Sequence, residues 1–211
     1  MKAYIIVILI LAILPFFVSI YYYPSFPDNV ASHWNAEGEV DGYMGKFWGL
    51  FLMPIVGAVI AFLCLLLPNI DPLKKNFKKS QKSFYVFIVF MMLFFIYVYF
   101  LTIQWNLGIR FDMTTAITPA IGVLFVVVGF MVGKAKRNWF VGIRTPWTLS
   151  SDKVWDRTHE LGSKLFIISG ILAIVGVFFS EYAIYFIMVP ILATVLISFI
   201  YSYYIYRKIK K

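Results

Sequence analysis

Charge is scarce in this chain. Only 14% of its 211 residues are Asp, Glu, Lys or Arg, against roughly 25% in ordinary soluble domains. Hydrophobic residues reach 62% and aromatics 20%. A soluble domain of this size leaves about a third of its unfolded-chain surface in water, which is too much to conceal such a composition. A soluble enzyme, a disordered tail and a DNA-binding domain are therefore excluded. Cysteine is almost absent. The single Cys64 lies in an apolar run, so there is no intramolecular disulfide framework, and the residue reads as a small buried hydrophobe. Ionisable side chains are missing from the middle of every apolar run, which leaves an ion-coupled transporter little to work with. The polar residues Thr102, Gln104, Asn106, Asp112 and Glu181 all fall near the ends of runs. Function therefore belongs in the loops.

What is present is a series of membrane-length runs. The first, Ala3 to Tyr23, is about 31 Å long as a helix, enough to cross a hydrocarbon core of roughly 30 Å. It closes on Tyr21-Tyr22-Tyr23-Pro24, an interfacial aromatic belt rather than a signal-peptide cleavage site, so it reads as an uncleaved span. The stretch from Leu165 to Tyr206 is too long for one crossing and must turn back at Ser180-Glu181-Tyr182. The expectation is an all-α integral membrane protein, a single polytopic domain over residues 1–211. Its six spans lie at about 3–23, 47–68, 84–105, 114–133, 165–180 and 183–206. An extracytoplasmic loop covers 24–46 and a cytoplasmic loop 134–164. With both termini cytoplasmic, 17 of the 19 Lys and Arg face inside, and only Lys46 and Arg110 face outside. The net charge of +9 is then a topology signal, with no direct binding of nucleic acid. Pro15, Pro54, Pro119 and Pro190 fall inside spans, where they kink helices. Gly129 and Gly133 form a small-xxx-small pattern suited to packing within the bundle.

Two loops hold more chemistry than a connection needs. The outer one carries His33, Trp34, Asn35, Glu37, Glu39 and Asp41, with Gly38, Gly42 and Gly45 permitting tight turns. It forms an acidic, aromatic lip suited to a peptide or a cation. His33, Glu37 and Asp41 suit zinc or a harder cation by chemistry. Their spacing matches no established ligand motif, and Gly38 breaks any helix that would align them, so a hydrogen-bonded loop without metal is the better reading.

The inner loop runs from Lys134 to Lys164. Thr148 or Ser150 can cap a helix, with Asp152 in its first turn. From about Ser151 to Gly162, Val154, Thr158 and Leu161 share one face, and Trp155, His159 and Gly162 the neighbouring one. Such a helix would lie along the inner membrane surface, with Trp139, Trp147 and Trp155 in the headgroup zone. His159-Glu160 lacks the second His of a zinc-protease helix, and no Ser or Cys nucleophile pairs with a base. The reading is a non-enzyme without a cofactor.

The stretch Asn138-Trp-Phe-Val-Gly-Ile-Arg-Thr-Pro-Trp-Thr-Leu-Ser-Ser-Asp-Lys-Val-Trp-Asp-Arg-Thr-His159 closely resembles the signature of the SdpI family of bacterial membrane proteins. The outer segment from Pro27 to Asp41, with His33-Trp34-Asn35, Gly38 and Asp41, resembles a motif that precedes it in many members. The resemblance implies a multi-pass immunity and signal-transduction protein of the cell membrane. Such a protein gives resistance to a secreted peptide toxin on the outer face and can recruit a cytoplasmic transcriptional repressor. By that resemblance His33, Trp34, Asn35, Gly38 and Asp41 form the toxin-facing region. Asn138, Gly142, Arg144, Thr145, Pro146, Trp147, Thr148, Trp155, Thr158 and His159 form the signature, which holds the bundle or meets a partner. Two alternatives from other classes stay open: a membrane metalloenzyme using His33, Glu37 and Asp41, and a small lipid or solute transporter.

Overall fold

The computed structural model describes residues 1–210; Lys211, counted above in the basic tail, lies outside the described residues. The chain is a bundle of six long helices: α1 (Lys2–Tyr22), α2 (Lys46–Ile70), α3 (Lys74–Asn106), α4 (Met113–Lys134), α6 (Asp152–Gly176) and α7 (Ala183–Lys210). A single-turn helix, α5 (Pro146–Ser150), precedes α6. All six long helices are long and apolar enough to cross a membrane. The fold is that of an all-α, six-span integral membrane protein, with one addition. Between α1 and α2 the chain forms an antiparallel hairpin of β1 (Asn29–Trp34) and β2 (Val40–Gly45).

Two helices reach further than the apolar runs. α3 starts at Lys74 rather than in the eighties, because its polar first turns still bury Phe77 and Ser80. α6 is continuous from Asp152 to Gly176, so no separate helix lies along the membrane surface. The face carrying Val154, Trp155, Thr158, His159 and Gly162 is buried within the bundle. Trp155 is accordingly a core residue, fully buried, and not a headgroup anchor. The return near Ser180–Tyr182 is a short 3-10 turn.

Proline and glycine set the packing. Pro54 has no N–H, which frees the Leu50 carbonyl inside α2. The Ser19 hydroxyl of α1 lies 2.8 Å from that oxygen and 2.6 Å from the Tyr99 hydroxyl of α3, so three helices meet on one satisfied polar cluster. A Cβ on Gly129 would fall 2.8 Å from the Ser163 carbonyl oxygen, and one on Gly122 2.6 Å from the Gly170 carbonyl oxygen. The small residues of α4 thus seat α6 within the bundle at backbone distance.

Candidate functional site

The hairpin is the outer loop's hidden order. Val30 pairs with Met44, His33 with Gly42 and Trp34 with Val40, with register irregularities on either side of His33. Asn35 builds the turn: its side-chain oxygen accepts from the Glu39 N–H at 2.8 Å, and its own N–H donates to the Glu39 carbonyl. Gly38 takes φ +80, which favours glycine, and a Cβ there would press on the Asp112 carboxylate. Val30 is buried against Phe26, Leu50, Tyr99 and Ile103. The Asn106 side chain, at the end of α3, completes the anchorage. It accepts from the Ala31 N–H at 2.8 Å and donates to the Ala31 carbonyl at 3.0 Å, as a neighbouring strand would. Trp34 packs edge-on against Trp105, whose face also carries the Arg110 guanidinium.

His33 Nδ1 lies 2.5 Å from Asp41 Oδ1, and both side chains are largely in water. Glu37 does not join them; among the described residues no three His, Cys, Asp or Glu side chains gather as a metal site would require. Beneath the hairpin is a cavity of about 480 Å³. Its roof includes Ser32, His33, Trp34 and Asn35, and its walls are mostly apolar, including Leu52 of α2, Ile117 and Ile121 of α4, and Ile187 of α7, with Thr102 and Thr114 among them. Trp34 Nε1 is buried without a hydrogen-bond acceptor among the described residues, an open donor in a residue that lines this space. Of the five outer positions singled out in the sequence, three line the cavity. Gly38 shapes the turn, and Asp41 holds His33.

The second site closes the other end of the bundle. Asn138 is buried and uses both ends of its amide: Oδ1 accepts from the Phe140 and Val141 N–H groups, and Nδ2 donates to the Lys136 and Val141 carbonyls. Gly142 sits at φ +115 against His159 and Trp155, where any Cβ would collide. The Ile143 N–H donates to His159 Nε2 at 3.0 Å, which fixes the proton on Nδ1, 2.8 Å from the Trp155 carbonyl. Trp155 stacks on the same imidazole and donates from Nε1 to the Ala135 carbonyl.

The caps differ from the sequence expectation. Thr145, with Thr148 in a reciprocal capping box, starts α5, and Ser151 caps α6; neither Thr148 nor Ser150 is the cap. Pro146 occupies the first turn, where its missing N–H costs nothing. The Thr145 hydroxyl reaches Ser202 of α7 at 3.1 Å, and Trp147 packs on Phe199 and Tyr203 of the same helix. Arg144 is exposed and donates to the Trp139 carbonyl. Thr158 is fully buried, and its hydroxyl has no hydrogen-bond partner among the described residues.

One residue of this site was not singled out in the sequence. Asp71 is fully buried, accepting from the Leu73 N–H at 2.6 Å and from the Trp139 N–H at 3.0 Å. It ties the turn between α2 and α3 to the signature loop, and Asn76, donating to the Arg137 carbonyl, strengthens the tie. The available signal was an isolated acid before Pro72 in an otherwise lysine-rich turn.

Fold and sites together define a six-helix membrane protein, capped at one end by a hairpin over a cavity and at the other by a tightly folded loop. Residues 134–202 match the SdpI/YfhL protein family, and residues 10–58 match a domain of unknown function (DUF1648). Over 206 residues the chain is 29% identical to the Immunity protein SdpI of Bacillus subtilis (strain 168), covering 97% of this chain and 96% of that protein. No solved structure matches the chain. The family match covers the signature stretch from Asn138 to His159 that the sequence resembles, and the chain is similar to that one immunity protein along nearly its whole length.

Proposed function

We propose that this chain is an immunity protein of the cell membrane that receives a secreted peptide toxin at the hairpin and the cavity beneath it. The observation that carries this reading is the cavity of about 480 Å³ with a mostly apolar wall and the open Trp34 N–H donor. An apolar peptide side chain would leave water for the cavity, and a peptide carbonyl would accept from Trp34. His33 and Asp41, exposed at the rim, offer charge and hydrogen bonds to the rest of the ligand. In this reading both termini are cytoplasmic, and the exposed Arg144 and Trp139 on the signature loop are the surface open to a cytoplasmic repressor.

The test is survival of a toxin-sensitive bacterium expressing the protein and challenged with purified peptide toxin of the kind SdpI-type immunity proteins resist. Wild-type protein should protect. His33→Ala, Arg144→Ala and the cavity-filling Ile187→Trp should each lose protection at unchanged membrane levels, whereas Lys78→Ala should keep it. Full protection by Ile187→Trp would remove the cavity from the mechanism.

A further inference from the structure

A second cavity, of about 500 Å³, lies at the opposite end of the bundle from the hairpin, and its chemistry differs from the first. It is a groove along α4, walled by Val86 and Phe90 of α3 and by Ile174 of α6. Its floor runs from Val123 to Lys134, about 16 Å at the helical rise, close to the depth of one leaflet of a roughly 30 Å hydrocarbon core. Phe90, Val123 and Phe130 are all exposed along it, so the groove is open to lipid.

Three polar groups gather at one end only: Lys82, Ser83 and Lys134. The acids at this end of the bundle are already engaged. Asp71 accepts two backbone N–H groups, Asp152 pairs with Arg137, Asp156 with Lys136 and Glu160 with Lys164. Among the described residues Lys82 and Lys134 have no acidic partner, and the Ser83 hydroxyl has no hydrogen-bond partner either. An apolar trough one leaflet deep, ending in two unpaired ammonium groups and a free hydroxyl, has the shape and charge of a diacyl phospholipid with an anionic headgroup.

We propose that this groove binds one anionic phospholipid, its phosphate between Lys82 and Lys134 and an acyl chain along Val126, Val127 and Phe130. The acyl contacts are open to any lipid; the two lysines supply the preference for negative charge.

Native mass spectrometry of the purified protein in detergent, titrated separately with dioleoyl phosphatidylglycerol and dioleoyl phosphatidylcholine, tests this. The expected result is one phosphatidylglycerol bound in preference to phosphatidylcholine. Its affinity should fall about fivefold in Lys82→Gln and about thirtyfold in Lys82→Gln/Lys134→Gln, in line with the worth of one basic side chain at an anionic surface. Lys78→Gln, in the same basic run but outside the groove, should bind as wild type. These exposed positions leave the core intact, so a folded variant is available for each measurement. Equal affinity for the two lipids would overturn the proposal, as would an unchanged double variant or an equal loss in Lys78→Gln.

Discussion

At the scale of single residues, the signature loop is held by hydrogen bonds that each admit few substitutes. His159 works as an acceptor toward Ile143 and a donor toward Trp155 at once, which a neutral imidazole alone among the side chains can do in this stacked position. His159→Phe keeps the ring and the stacking but strands the Ile143 N–H. It should lower stability by about 1–3 kcal/mol, read as an earlier unfolding midpoint in detergent. A midpoint equal to wild type would show that the imidazole nitrogens contribute nothing. The sequence marked His159, Trp155, Gly142 and Thr145 as one set but gave no division of labour among them. Charge and residue type do not reveal whether a His faces a metal, water or an amide; only the backbone at Gly142 and Ile143 decides it. Asp71 escaped notice for the same reason, because the partner that ties it to the signature loop is the Trp139 backbone N–H, distant in sequence.

At the scale of elements, helices were legible and the hairpin was not. Apolar runs of membrane length announce a helix without reference to anything else in the fold. The strands are only six residues each, interrupted by Gly42 and ending at Gly45, and their pairing depends on Asn35 and on the Asn106 anchor from another helix. Residues Val30-Ala31-Ser32-His33-Trp34 do not alternate between apolar and polar, so the period-two signal of a strand was missing. Asn106 itself stood out only as a polar residue near a boundary. The interface between α4 and α6 yields a prediction at this scale. Gly122→Leu places a side chain on the Gly170 backbone and should destabilise the bundle by about 1–3 kcal/mol in thermal unfolding. Gly45→Ala, where an added Cβ meets nothing within 4 Å, should leave the midpoint near wild type. Equal effects from both would mean that the two helices part without cost.

At the scale of the whole molecule, the two ends of the bundle are chemically opposite: an acidic, aromatic hairpin at one and a lysine-rich face at the other. The basic excess predicts which end faces the cytoplasm. In a Cys64→Ser background, Glu37→Cys should react with an impermeant maleimide on intact cells, and Lys78→Cys only after lysis. The reverse labelling pattern would invert the topology. The tie from Thr145 and Trp147 to Ser202, Phe199 and Tyr203 also bears on how the protein is made. Chains emerge from the ribosome amino end first, so residues 134–151 are synthesised well before the α7 residues that complete them. Until α7 is inserted, Trp147 has no ring to pack on, and the Thr145 hydroxyl lacks its Ser202 partner. Closure of the signature loop is thus a late event in biosynthesis, and a chain stalled short of residue 199 carries that loop unfinished.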